Sequence, residues 1–269
     1  GAVFFRPSSI DDWKERDAPM ASRFFSAHFA FADGSFAVEV PHDPDYFFHG
    51  EEISIAVRAY TWGYDLFHPH RIYWWHEYTR DGKPHHWEDH DFGDFDKNSF
   101  LRYRKLFSMD EEKYDSKEFG KYGLGKERKL AEWIKFSGIN PTGRTVQKLT
   151  YDRVIHPPNP DYATPHQFQS SFLKIFRHCI DLHEDDLSVE NIDFLVVAFK
   201  LDDGTEVFRE DTQPSELLSI FQAKNEEGWM KIWRDFELQE GDLLPTKYLI
   251  WPHSETDGWG DPIERDLPK

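Results

Sequence analysis

Ile53, Val57 and Tyr60 recur at near-helical spacing between a pair of acids, Glu51-Glu52, and a glycine, Gly63. Apolar periodicity, acids in the first turn and a glycine just past the end together predict a helix over Glu51 to Trp62, its two carboxylates favoured by the helix macrodipole. Downstream, Tyr64 to Phe67 and Arg71 to Tyr78 read as strands interrupted by His68-Pro69-His70, the second rich in aromatic and β-branched residues. Upstream, residues 1 to about 20 read as irregular, with a helix start at Ser9-Ile10-Asp11-Asp12. The small and apolar run from Arg23 to Phe31 predicts a buried strand, stopped at Asp33-Gly34 and followed by a short helix over Ser35 to Val40. A hairpin at Asp33-Gly34 is the alternative. Pro41 and Pro44 then hold an extended loop carrying His42, Asp43 and Asp45.

Periodicity is lost between Thr79 and Asn98, a polar, histidine-rich stretch that reads as a long loop, and a stretch of this length is usually functional or disordered. Helical patterning returns from Ser99 to about Glu118 and from Glu127 to Phe136, after Gly123-Leu124-Gly125. Composition shifts at Pro141, and Pro157-Pro158-Asn159-Pro160 with Pro165 reads as a stiff connector. Beyond it the pattern turns to strands: Phe168 to Leu182, Asp193 to Leu201, Thr205 to Arg209 across an Asp202-Asp203-Gly204 turn, Trp229 to Leu238 and Lys247 to Trp251, with one helix near Pro214 to Phe221. No internal repeat is present. The expected organisation is an α/β region over 1–140, a Pro-rich connector over 141–166 and a β-rich, sandwich-like domain over 167–269.

Composition narrows the chemistry. A chain of 269 residues, 39% hydrophobic and 30% charged, is that of a soluble globular protein with one large core or two modest ones. With 32 basic against 50 acidic residues, a net charge of −18 opposes binding to nucleic acid phosphates or an anionic membrane, so neither is an expected partner. The single cysteine, Cys179, excludes an internal disulfide and fits a reducing, cytoplasmic compartment, where it reads as a buried thiol. No apolar run reaches the roughly 18 residues of a membrane-spanning helix. Ten Trp, 11 Tyr and 24 Phe make 17% of the chain aromatic, side chains suited to sugar or base platforms or simply to the core, and most of the phenylalanines read as core. The chain begins without Met, directly in strand-like residues, so a segment upstream of Gly1 is expected.

Transfer of a sugar from a nucleotide diphosphate donor needs a cation or basic groups at the leaving diphosphate and a carboxylate near the ring, where positive charge develops. Glu51, Glu52, His76 and Arg80 supply that set within 30 residues, and Gly50 lets backbone approach a ligand at the helix mouth. Taken alone, paired acids at a helix start are commonplace for electrostatic reasons, and His76 behind Trp74-Trp75 is as well read as an imidazole bonded within an aromatic patch. The cluster of His85, His86 and His90 with Glu88, Asp89 and Asp91 lacks the tight spacings of a zinc hydrolase and reads as a lid over substrate, or as a solvated acidic loop. There is no G-x-S-x-G, no phosphate-binding glycine loop followed by Lys and no C-x-x-C.

Phe24-Phe25-Ser26-Ala27-His28-Phe29, Val40-Pro41-His42-Asp43-Pro44, Phe47-Phe48-His49-Gly50-Glu51-Glu52, Arg58, Thr61-Trp62-Gly63-Tyr64-Asp65 and His76-Glu77-Tyr78 stand in an order that resembles a known family. It is that of the cytoplasmic glycosyltransferases that add N-acetylglucosamine to hydroxyproline of a ubiquitin-ligase subunit, with their bacterial relatives. Gly123-Leu124-Gly125-Lys126-Glu127-Arg128-Lys129-Leu130 and Phe136-Ser137-Gly138 extend the likeness over roughly residues 20 to 140. Gly50-Glu51-Glu52 followed by Arg58, Gly63 and His76 is also similar, more distantly, to the block of mucin-type N-acetylgalactosaminyltransferases in which Gly-Glu-Asn opens a helix and a later histidine binds manganese.

The resemblance implies a metal-dependent, retaining transferase that uses Mn2+ or another divalent cation and moves a sugar, N-acetylglucosamine by preference, from a UDP-sugar to a hydroxyl on a protein or other large molecule. Carried over, Glu51 and Glu52 are catalytic, with Glu51 on the donor sugar; His76 ligates the metal; Gly50, Arg58, Tyr78, Arg80, His85 and His86 bind substrate, the segment from Tyr78 to His86 serving as lid. Glu52 stands where the more distant family has Asn. That family type also has an upstream nucleotide-binding half with an aspartate-containing metal motif, and nothing before Phe24 resembles it. The expectation is therefore the acceptor-side part of a GT-A-like domain, with an N-terminal segment missing or separately supplied, followed by the β-rich domain. The rival readings are a non-catalytic carbohydrate-binding or scaffolding protein and a hydrolytic metal site at His85 to His90.

Overall fold

The computed structural model describes residues 10, 12–75, 92–238 and 242–268. The chain mixes helices and strands, as the α/β expectation has it, and divides into two compact units, Gly1–Phe172 and Leu173–Lys269.

The first unit runs through β1 (Met20–Ser22), α1 (Gly34–Glu39), α2 (Glu51–Thr61), β2 (Leu66–His68), α3 (Phe92–Leu106), α4 (Ser116–Phe119), α5 (Leu130–Ser137), β3 (Ile139–Asn140), β4 (Thr145–Gln147), α6 (Lys148–Tyr151) and α7 (Pro165–Ser170). It is organised around α2. Ile53 to Ala59 and Thr61 are all buried, so this helix is enclosed on nearly every side rather than laid on a surface. Ile53 and Val57 pack with Tyr103, Phe107, Phe119 and Trp133, while Ile55 and Ala59 pack with Val40 and, at the margin, Phe25, Phe36 and Leu66.

The C-terminal carbonyls that every helix leaves unpaired are met at α2 by the glycine loop 123–128. Thr61 O accepts the N–H groups of Glu127 (3.0 Å) and Arg128 (3.2 Å), and the Thr61 hydroxyl accepts that of Gly125 at 2.9 Å. A Cβ on Gly125 would sit 2.3 Å from Thr61 O, so this approach requires glycine.

Several local expectations are corrected. Arg23 to Phe31 is not a strand: β1 ends at Ser22, whose hydroxyl bonds both the N–H and the carbonyl of Phe24. Arg23 itself is buried, donating to Ser137 O (2.7 Å), Ile155 O (3.0 Å) and Asn159 Oδ1 (2.7 Å), while Phe31 is 93% exposed. The apolar letters therefore conceal one long polar side chain turned inward. The short helix is present as α1, capped by Asp33, and replaces the alternative hairpin. Asp12 to Glu15 forms a turn, and residues 71 to 75 form no strand, with Trp75 82% exposed; aromatic letters predict strands only where a surface buries them. The helix expected from Ser99 to Glu118 begins at Phe92 and ends at Leu106, because Ser108 and Asp110 take left-handed backbone (φ 50 and 58). The next helix starts at Leu130 rather than Glu127, whose N–H is given to Thr61.

The Pro-rich segment carries β4 and α6. Asn159 within it is buried, donating to Gln147 Oε1 (2.5 Å) and Thr150 Oγ1 (2.8 Å) while it receives Arg23.

The second unit contains β5 (Phe172–His183), β6 (Ile192–Lys200), β7 (Glu206–Asp211), α8 (Pro214–Gln222), β8 (Trp229–Leu238), β9 (Lys247–Ser254), β10 (Gly258–Trp259) and β11 (Ile263–Asp266). Strands β10, β9, β6 and β7 lie side by side with β11 also on β9, all antiparallel, and β5 pairs antiparallel with β8 in a register that sets Ile180 opposite Ile232. Alternate residues, among them Leu195, Val197 and Phe199 of β6 and Met230, Ile232 and Phe236 of β8, join Leu217 and Ile220 of α8 in one core. The expected strands are present, but the first begins at Phe172 rather than Phe168, because Pro165 to Ser170 form α7, and β10 and β11 were not read from the sequence.

Candidate active site at the N-terminus of the central helix

Gly50 caps α2 with φ 93, a left-handed conformation natural to glycine, and its carbonyl accepts the first helical bond from Ser54 N at 3.0 Å. It is buried against two rings: a Cβ here would meet Tyr46 Cε1 at 3.1 Å and Tyr103 Cδ2 at 3.5 Å. The glycine thus turns the chain sharply into the helix and sets Glu51 and Glu52 in its first turn.

The two acids differ in surroundings. Glu51 is half-buried, and burial above all, with the neighbouring charge of Glu52, pushes its carboxyl above the usual range; the backbone N–H groups of Glu51 and Glu52 and the His49 imidazole pull the other way. Glu52 is engaged elsewhere, its Oε1 accepting the backbone N–H of Ala27 at 2.8 Å. Glu52 thereby ties Ala27 to the helix start.

One face of α3 holds the approach to Gly50. Ser99 Oγ accepts Phe47 N at 2.8 Å, Phe95 stacks on Phe47 at 5.1 Å, Asp96 Oδ1 lies 2.7 Å from His49 Nδ1, and Phe100 stacks on the His49 ring at 5.8 Å and 11°. Residues 95, 96, 99 and 100 follow the helical repeat, which explains why they converge on Phe47 and His49.

Behind the turn, buried Arg102 donates to Asp43 Oδ2 at 3.0 Å and lies 3.8 Å over the Phe119 ring. Arg58 is 0% exposed, its guanidinium donating to Pro41 O at 2.8 Å and more weakly to Lys121 O at 3.4 Å. Burial lowers the Arg58 guanidinium and raises the Tyr46 hydroxyl. Two buried arginines thus fix the loop 41–46 from which Gly50 is reached.

The structure therefore brings Gly50, Glu51 and Glu52 together and turns Arg58 into the interior behind them. His76, Tyr78, Arg80, His85 and His86 lie outside the described residues. Among the described residues no group of three or more His, Cys, Asp and Glu side chains is arranged to hold a metal ion. His49, Asp96, Asp43 and Arg102 were not singled out from the sequence. A signal for the first pair existed in the histidine directly before Gly50 and in the four-residue spacing of Asp96 and Phe100.

The family model for Glycosyltransferase (GlcNAc) matches residues 1–143, more than half of the 269-residue chain and inclusive of every residue of this site. The chain belongs to that glycosyltransferase family. No curated protein and no solved structure matches it.

Proposed function

We propose that the protein transfers N-acetylglucosamine from a UDP-sugar to a hydroxyl on a protein or other large molecule, with Glu51 on the donor sugar. The observation that carries this reading is the position of Glu51: half-buried, in the first turn behind Gly50, inside the family-matched region. As the bond to the diphosphate breaks, the anomeric carbon gains positive charge, and a carboxylate already drawn from water stabilises it more than a solvated one would. Gly50 turns the chain into the helix start that carries Glu51, Glu52 fixes the neighbouring segment through Ala27, and Arg58 holds the loop behind.

A divalent cation such as Mn2+, with His76 among its ligands, would neutralise the leaving diphosphate; this part of the reading, and the lid from Tyr78 through Arg80 to His85 and His86, rests on the resemblance. So do the GT-A type of the catalytic region, the retaining outcome, a hydroxyproline acceptor and a cytoplasmic setting. Among the described residues no helix is long and apolar enough to cross a membrane. The second unit we read as a sandwich-like accessory domain.

In the full-length protein, Glu51→Gln and His76→Ala should each abolish UDP-sugar turnover while the thermal melt stays cooperative. Full turnover in both variants would remove the assignment.

One observation favours a second reading, a non-catalytic carbohydrate-binding or scaffolding protein. Trp259, 48% exposed, packs on Trp251 at 4.5 Å and His253 at 4.8 Å in the second unit, an aromatic surface on which a sugar ring can stack. Titration calorimetry separates the two: metal-dependent binding of UDP supports the transferase, and glycan binding indifferent to metal and nucleotide supports the binding protein.

A further inference from the structure

Three rings stand in one row across three strands of the second unit. The register sets Phe194 of β6 opposite His253 of β9, and His253 opposite Trp259 of β10. Alternation turns Leu195, Val197 and Phe199 of β6 and Tyr248 and Ile250 of β9 into the core, so Phe194, Trp251 and His253 lie on the other face of the sheet. There Phe194 stacks on His253 at 4.8 Å and 17°, while Trp259 packs on Trp251 at 4.5 Å, on His253 at 4.8 Å and on Phe194 at 5.6 Å. Trp251 is held in turn by its indole N–H, which donates to Gly260 O at 2.8 Å.

The register breaks beside this row. Ile192 pairs with Ser254 and Phe194 with His253, so Asp193 between them is an extra residue, a β-bulge. In an unbroken strand Asp193 would share the core side with Leu195. The bulge leaves that side to Ile192 and brings Asp193 Oδ1 to 2.8 Å from His253 Nδ1, where it also accepts Phe194 N at 3.0 Å. A carboxylate is thereby re-aimed onto an aromatic surface. Asp193 Oδ2 and His253 Nε2 have no hydrogen-bond partner among the described residues, and both side chains are partly exposed.

We propose that the bulge and the aromatic row form a saccharide-binding site on the second unit: a pyranose ring stacks on Trp259, and its hydroxyls donate to Asp193 Oδ2 and His253 Nε2. A sugar ring has an apolar C–H face and a rim of hydroxyl donors, and a half-exposed indole beside two acceptors complements both. The carboxylate at Nδ1 keeps the imidazole proton on that nitrogen, which leaves Nε2 of the neutral ring to accept. An organic cation is the other common ligand of aromatic sites, but it sits in a cage of separated rings. These rings touch at 4.5 to 5.6 Å and enclose no slot. The site binds sugar without reacting with it, so it stands beside transfer at Glu51 and does not depend on it.

The test uses the full-length protein labelled with nitrogen-15 and a β-1,4-linked trimer of N-acetylglucosamine as probe. The Trp259 indole signal, assigned by its absence in Trp259→Phe, should shift and saturate during titration, and Glu51→Gln should give the same curve. By calorimetry, Trp259→Ala should bind the trimer about 10-fold more weakly, and Asp193→Asn, which replaces the accepting Oδ2 by an amide donor, about 5-fold more weakly. Unchanged affinity in folded Trp259→Ala would overturn the proposal. If that variant does not fold, an unmoved Trp259 signal in the unmodified protein overturns it equally, as does a shift with tetramethylammonium and none with the trimer. Saturable binding in a protein that turns over no UDP-sugar contradicts the proposed transfer and leaves this site standing; turnover without binding does the reverse.

Discussion

Glu52 Oε1 accepts the backbone N–H of Ala27 at 2.8 Å, a bond across 25 residues that separates the roles of two adjacent acids. Glu52 acts as an anchor for Ala27. We predict that Glu52→Ala lowers stability by about 1 kcal/mol, the usual worth of one partly exposed hydrogen bond. Glu52→Gln keeps an oxygen in place and should cost less. Urea unfolding midpoints order the two variants, and equal losses would contradict the anchor role.

Glu51 should behave in the opposite way. Its carboxyl binds a proton more tightly in the fold than in the unfolded chain, chiefly through burial, so ionisation weakens the fold. Stability contributed by this site is greatest at pH below the ordinary carboxylate range and declines as pH rises through the raised value. Glu51→Gln, neutral at every pH, should therefore melt no lower than the unmodified protein at pH 7, and the difference between them should close or reverse as pH falls into the acid range. Melting curves at several pH values decide it, and a Glu51→Gln protein markedly less stable at pH 7 would contradict the burial account.

Two glycines should respond to alanine in opposite directions. At Gly125 a Cβ would lie 2.3 Å from Thr61 O, a backbone atom that cannot swing aside, so Gly125→Ala should cost about 2–3 kcal/mol. At Gly34, the first residue of α1, a Cβ meets nothing within 4 Å, and Gly34→Ala should be neutral or stabilise by about 0.5 kcal/mol through the unfolded chain. Chemical denaturation of both variants tests whether the α2 cap depends on that close approach.

The buried pair of Asp43 and Arg102 gives a further test. Asp43→Ala strands the Arg102 charge, left with Asp45 at 3.6 Å and Glu118 at 3.9 Å among the described residues, and should cost about 3 kcal/mol. The double variant Asp43→Ala/Arg102→Met removes both charges and should recover part of that loss, because Met can cover the Phe119 ring without needing a partner. A strictly additive pair would show that the two side chains do not stabilise one another.

How much was legible follows from where the information lay. The strands of the second unit were readable because alternation is local: β8 spans Trp229 to Leu238, the bounds that its apolar letters predict. Helix α2 was readable because acids, periodicity and a glycine stop agree over a dozen residues. The Arg23 to Phe31 run was misread because Arg23 is satisfied by carbonyls at Ser137 and Ile155, more than a hundred residues away. The end of α3 was missed because left-handed Ser108 and Asp110 carry no glycine signal. At the candidate site the local elements, Gly50 with Glu51 and Glu52, were visible, but the partnership of His49 with Asp96 joins residues 47 apart.

The central claim is that Glu51 serves sugar transfer, and release of UDP from UDP-N-acetylglucosamine by the full-length protein with Mn2+ tests it most directly. The unmodified protein should release UDP, and Glu51→Gln should do so at least about 100-fold more slowly with a melt no lower than that of the unmodified protein. Equal rates in the two proteins would contradict the account.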